Sequence, residues 1–171
     1  MYRICRIKFS LVLLFLLLFC NCNQATNQQF EEEKFAQENV YYSVHRFVDG
    51  DTFWITDGKG HVEKIRLIGI DAPEARNYGK KKEQPFGKEA SAFVSKFLRK
   101  KKVRLEFDVQ KKDQYDRTLA YIWLENGVML NDYIVRQGFA VVSTYPPNVK
   151  YQTRFVKSER FAREKKVGMW R

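Results

Sequence analysis

The sequence predicts an α+β domain, mainly β: a five-stranded Greek-key barrel of the OB type with about three packed helices. Three observations carry this reading. Five short runs are rich in β-branched and aromatic residues, turn-forming residues separate them, and three stretches place apolar residues at helical spacing.

The first run, Tyr41 to Phe47, leads through "VDG" into the second, Thr52 to Thr56. "DGKG" (57–60) supplies the turn into the third run, Val62 to Ile70, and Pro73 ends it. A charged loop, "EARNYGKKKEQPFG", precedes a helix in "KEASAFVSKFLRKKK". There Ala90, Phe93, Val94 and Phe97 form the apolar stripe, and basic residues crowd the C-terminal turn, where the helix dipole favours them. Runs four and five, Val103 to Val109 and Thr118 to Leu124, flank the polar turn "QKKDQYDR". Val128 to Gln137 reads as a helix closed by Gly138, and Gln152 to Lys166 as a final helix around Phe155, Val156 and Phe161.

The chain divides into three parts. Residues 1–22 carry Arg3, Arg6 and Lys8 before the apolar run Phe9 to Phe19 and turn polar at Asn21, the layout of a secretory signal peptide. The run is too short to span a bilayer comfortably. Cys20 and Cys22 close it, which makes Cys22 a candidate for lipid attachment of the lipoprotein type, with cleavage and release as the rival outcome. Residues 23–39 are rich in Gln, Asn and Glu and read as a flexible tether. Residues 40–171 hold the domain. All three cysteines lie in the leader, so no disulfide is expected in the domain. The localisation expected is export, either membrane-anchored or secreted.

Lys and Arg total 31 against 20 Asp and Glu, a net charge of +11. Without the three basic leader residues the remainder is still +8. Such a field attracts polyanions, with nucleic acid or an anionic membrane foremost, though solubility alone would also account for it.

Against this positive background, acids gather at the ends of the runs. Asp49 and Asp51 stand one glycine apart, and Asp71 and Glu74 frame Ala72-Pro73. Like charges so close repel and resist desolvation, which a bound cation would offset. Carboxylates with carbonyl oxygens and water suit calcium or magnesium, whereas His45 and His61 are isolated and no cysteine remains for zinc. Arg66, between Ile65 and Leu67, needs an anionic partner. A salt bridge to Asp49 or Asp51 and a role at a ligand both meet that need. Arg117 follows Tyr115 and Asp116 in the later turn. Two guanidinium groups, a divalent cation and a spare carboxylate suit phosphodiester hydrolysis, in which negative charge gathers on the non-bridging oxygens.

Five stretches then resemble the staphylococcal nuclease (thermonuclease) family, in the family's order: "VDGDT", "IRLIGIDAPE", "FGKEASAF", "YDRTLAYI" and "LNDYIVRQGFA". The resemblance implies an OB-fold barrel and calcium-dependent cleavage of DNA and RNA with little sequence specificity, leaving 3′-phosphates. It implies Asp51, Asp71 and the Ala72 carbonyl as ligands of one Ca2+, with Asp49 behind them. It casts Arg66 and Arg117 as catalytic arginines and Glu74 as general base. Tyr115 and Tyr145 would flank the bound nucleotide, and Lys80, Lys81 and Lys82 would meet the nucleic-acid backbone unless they form a merely solvated loop. Ala72 stands where the family pattern has threonine, Gln114 replaces a lysine, and "VVSTYPPN" is one residue short. A monomer with no obligate protein partner is expected. The alternative is a non-catalytic surface module that binds nucleic acid or another polyanion.

Overall fold

The computed structural model describes residues 40–77 and 79–171. The predicted leader, the tether and Cys22 lie outside the described residues. Among those residues no helix is long and apolar enough to cross a membrane.

Five strands close a barrel: β1 (Tyr42–Phe47), β2 (Thr52–Thr56), β3 (Val62–Leu67), β5 (Lys102–Glu106) and β6 (Thr118–Leu124). Their order around the barrel is β1-β2-β3-β6-β5, with β3 and β6 parallel and the other pairs antiparallel. Three helices surround it: α1 (Gly87–Leu98), α2 (Leu130–Arg136) and α3 (Gln152–Glu164). The α+β barrel expected from the sequence is therefore the fold found. Alternation drives the packing, because Phe53, Ile55, Ile65, Leu67, Val103, Leu105, Ala120, Ile122 and Leu124 are all buried. Ala90, Val94 and Leu98 form the buried stripe of α1. Tyr121 packs edge-on against Tyr151 at 4.7 Å, joining β6 to the start of α3.

Among the boundaries that differ from the sequence reading, three have a local reason. The third strand does not run through to Ile70. It stops at Leu67, and Gly69 adopts φ +79°, a conformation in which a side chain would also strike the Phe155 ring. Beyond that corner, Ile70–Asp71 (β4) pairs with Val141–Val142 (β7) in a small second sheet the sequence did not suggest. Strand β5 ends three residues early, because Gln110 leaves the ladder to exchange two hydrogen bonds with the Asn148 amide, both 2.8 Å. Helix α2 starts two residues late, because Met129 first bridges to Trp123.

The barrel corner is held by Asn131, which is fully buried. Its side-chain nitrogen donates to the Ile68 carbonyl and its oxygen accepts from the Ile122 amide, both at 2.9 Å. One side chain thus ties α2 to β6 and to the turn where β3 ends. Asn131→Ala strands two buried backbone groups and is expected to lower stability by about 2–3 kcal/mol. Urea denaturation checks this, and an unchanged midpoint would mean that the two groups find other partners.

Candidate active site

The "VDGDT" segment is the turn between β1 and β2. The amides of Val48 and Asp49 both donate to the Thr52 carbonyl, at 3.0 and 3.1 Å, and the Asp51 amide donates to Asp49 Oδ1 at 3.2 Å. The turn presses against the end of β4. A Cβ on Gly50 would lie 2.7 Å from the Ala72 methyl carbon and 3.4 Å from that of Ala90, so only glycine fits between the two aspartates.

That approach places Asp51 among the residues at the ends of β3 and β4. The β2–β3 register pairs Thr52 with Arg66, and the Leu67 amide donates to the Asp51 carbonyl at 2.9 Å. The Asp51 carboxylate, itself buried, accepts from the Ala72 amide at 2.7 Å and from the Thr52 hydroxyl at 3.0 Å. Arg66 bridges the acids. Its Nη1 contacts Asp51 Oδ2, and its Nη2 donates to Asp71 Oδ1 at 2.7 Å.

Negative charge here exceeds what one guanidinium neutralises. Burial and the neighbouring Asp51 carboxylate push Asp49 up to about 7. Burial also raises Asp71, against the opposing pull of Arg66. Burial alone would lower Arg66, but Asp51, Asp71 and Asp49 outweigh it and hold its proton more firmly. Acids held up in this way mark a place where added positive charge is favourable. All the donors are oxygens, which fits a hard cation. Among the described residues no three or more His, Cys, Asp or Glu side chains are arranged around one point. Asp51 and Asp71, which share Arg66, are the two carboxylates of this site that the fold brings to one partner.

Glu74 is fixed through its backbone, which donates to Gln84 Oε1 at 3.0 Å and accepts from the Gln84 amide at 2.9 Å. Its carboxylate is paired with Lys81. Arg117 is positioned by Asp113, a residue the sequence reading passed over. Asp113 accepts from the Tyr115 amide at 2.8 Å, the Arg117 amide at 3.0 Å and Arg117 Nε at 2.6 Å. Burial would raise this carboxyl, but those hydrogen bonds outweigh it and hold Asp113 below the usual range. The same turn sets the Arg117 guanidinium 5.4 Å from the centre of the Tyr115 ring. An aspartate two residues before a tyrosine in a polar turn is a recognisable Asx signal.

Two hollows meet at Tyr115 and Arg117. One, of about 460 Å³, is also lined by Arg66 and Tyr145. The other, of about 990 Å³, is also lined by Asp49, Glu74, Lys80 and Lys81. Tyr115 and Tyr145 are 71% and 75% exposed, and both line the smaller hollow. Asp51, Asp71 and Ala72 line neither hollow. Asp51 and Asp71 both contact Arg66, which lines the smaller hollow, and the Asp71 side chain is itself exposed. Lys82 is exposed and lines neither. The Asn148–Gln110 clasp, also unforeseen, anchors the loop that carries Tyr145. The arrangement can grip an anion between two arginines, with flat rings at its rim and a carboxylate nearby.

Comparison with known proteins identifies relatives of this chain. The family described as Staphylococcal nuclease homologue matches residues 64–171. A thermonuclease of Staphylococcus hyicus is 43% identical over 129 residues, which cover 75% of this chain and 75% of that protein. A thermonuclease of Staphylococcus intermedius has the same identity and coverage. An SPbeta prophage-derived endonuclease of Bacillus subtilis is 35% identical over 136 residues, covering 78% of this chain and 45% of that protein. A barrel closed by parallel β3 and β6, a family match over most of the domain and this level of identity lead to one conclusion: the chain belongs to the staphylococcal nuclease homologue family.

Proposed function

We propose that this protein is a calcium-dependent nuclease that hydrolyses phosphodiester bonds in DNA and RNA. The observation that carries the reading is Arg66, held between Asp51 and Asp71 while lining the same hollow as Arg117, Tyr115 and Tyr145. Asp51, Asp71 and the Ala72 carbonyl are the groups that would hold one Ca2+, with Asp49 as a supporting acid behind them. When bound, such an ion supplies positive charge to the non-bridging oxygens of the phosphate under attack.

The chain's own residues do the rest. Arg66 and Arg117 offer donor forks to the same oxygens, where charge is greatest in the transition state. Asp113 holds the Arg117 fork in place, so little reorganisation is needed on binding. Glu74 exchanges Lys81 for the attacking water and takes its proton as the water oxygen bonds to phosphorus. The bond from phosphorus to O5′ breaks, O5′ takes up a proton from solvent water, and a 3′-phosphate remains. Tyr115 and Tyr145 stack on a base, while Lys80 and Lys81 hold the backbone, with Lys82 at the outer edge of the same loop.

Family membership, supported by relatives that include thermonucleases, favours this over a non-catalytic polyanion-binding module. The test is hydrolysis of DNA and RNA by the purified protein with chelator and after Ca2+ is restored, with end-labelling of the products. Loss on chelation, recovery with Ca2+ and 3′-phosphate ends are expected. Oligonucleotide binding without turnover at any Ca2+ concentration would overturn the reading in favour of the binding module. We propose in addition that residues 1–22 direct export and that Cys22 carries a lipid. A mature N-terminus beyond Cys22, found by mass spectrometry, would overturn the lipid assignment.

A further inference from the structure

The larger hollow does not end at Glu74 and Arg117; it continues along the outer face of the barrel over Arg46, Trp54 and Lys64. These three form one row. Arg46 pairs with Trp54 across β1 and β2, and Trp54 pairs with Lys64 across β2 and β3. Their neighbours Phe53, Ile55 and Ile65 are buried inside, so alternation turns Trp54 and Lys64 outward. The parallel ladder pairs Ile65 with Thr118, which brings Arg117 to the register position beside Lys64. Strands lie about 4.8 Å apart, so the row from Arg46 to Arg117 spans roughly 14 Å. Lys64 also shares its face of β3 with Arg66, two residues on, at roughly 6.6 Å along the strand. Arg46, Lys64 and Arg117 therefore stand as successive cations along one wall of the cleft.

The chemistry of the row is that of a nucleic-acid platform. The Arg46 guanidinium lies 5.2 Å and Lys64 Nζ 5.9 Å from the centre of the Trp54 ring. Arg66, Lys81 and Arg117 are all engaged with carboxylates. Arg46 and Lys64 form no ion pair among the described residues. Trp54 Nε1 is buried and has no hydrogen-bond partner among them. A half-buried indole flanked by two cations that no described carboxylate neutralises, on the wall of a cleft that also holds Glu74, is suited to take a base against its ring while the cations neutralise the flanking phosphates.

We propose that Arg46, Trp54 and Lys64 form a further binding subsite for single-stranded polynucleotide, holding nucleotides beyond the one gripped by Arg66 and Arg117. The inference rests on the nuclease reading for the identity of the strand. It predicts that long substrates gain from the row and very short ones do not.

The test measures binding and turnover separately. Binding is read by anisotropy of a labelled oligothymidylate of about 12 nucleotides, within the site sizes of OB folds, using protein without added Ca2+ and across a salt series. Arg46→Ala/Lys64→Ala is expected to weaken binding about tenfold and to reduce the slope of log affinity against log salt by about 1.4. Trp54→Ala is expected to weaken it about tenfold, with Trp54→Phe retaining most of the affinity through its ring. Hydrolysis of a dinucleotide by the double variant is expected to be unchanged.

Unchanged affinity for the long strand in the double variant, or equal losses on long and short substrates, would overturn the subsite. Should Trp54→Ala fail to fold, the double variant, which alters two cations and no buried apolar group, still decides. The binding arm needs no turnover. A wild type that binds through this row yet cleaves nothing would sink the nuclease reading and leave the subsite standing.

Discussion

Arg66→Ala is expected to lower kcat/KM on DNA by about 10³-fold, the size of effect found when one preorganised donor to a developing oxyanion is removed. The change is also expected to cost stability. Asp51 is 4% exposed, and without the guanidinium its carboxylate keeps only the Ala72 amide and the Thr52 hydroxyl. Removing one partner of a fully buried pair costs about 3–5 kcal/mol. Because the Arg66 side chain retains 17% exposure and those two hydrogen bonds remain, about 1–3 kcal/mol is expected here. Arg66→Lys separates the two effects. Lysine restores a positive charge near Asp51 but cannot present two parallel donors to phosphate. Stability should therefore return while activity does not. Urea midpoints and steady-state kinetics on both variants check this. Near-wild-type activity in Arg66→Lys would reduce Arg66 to a structural cation.

Glu74→Gln is expected to leave the fold intact and lower kcat by about 10²–10⁴-fold, the usual contribution of a positioned general base. Glutamine preserves the shape of the side chain, and the hydrogen bonds with Gln84 come from the Glu74 backbone. What is lost besides the proton acceptor is the pairing with Lys81. That lysine is 61% exposed, so the loss should cost less than about 1 kcal/mol. Affinity for an oligonucleotide should stay the same or rise, since a negative charge leaves the cleft. A fall in kcat with binding unweakened is thus the expected signature, read by single-turnover kinetics and anisotropy. An unaltered kcat would move the proton to another acceptor.

Much of the barrel is legible in the sequence because its signals are local. β2 and β6 have the bounds their residue types suggest, since alternation and the flanking turn residues act over a few positions. The corner at Gly69 and the β4–β7 pairing escape such a reading. Two-residue strands carry no periodicity, and Val141–Val142 lies about seventy residues from its partner. The early end of β5 is similar, decided by an amide at Asn148.

The candidate site divides in the same way. Asp49, Asp51, Asp71, Glu74 and Arg66 stand out in the sequence because acids cluster against a basic background and an arginine sits in an apolar run, whereas Arg117, in a polar turn, is singled out only by the family resemblance. Asn148 does not stand out, and Asp113 shows only a local turn signal with nothing to mark its partner, since each acts by orienting another residue and polar turns abound on any surface. The row Arg46–Trp54–Lys64 is invisible along the chain, where its members lie eight and ten residues apart.

What residue order alone determined, then, is composition-level and local: strand and helix identity, the basic charge and the set of acids and arginines able to serve phosphate chemistry. What only the folded chain decided is adjacency: the bridge of Arg66 between Asp51 and Asp71, the turn that aims Arg117, and the row of side chains across β1, β2 and β3. The physical reason is that side-chain periodicity acts through neighbouring dihedral angles. Strand register and close approaches such as Gly50 on Ala72 depend on packing between segments distant in the chain.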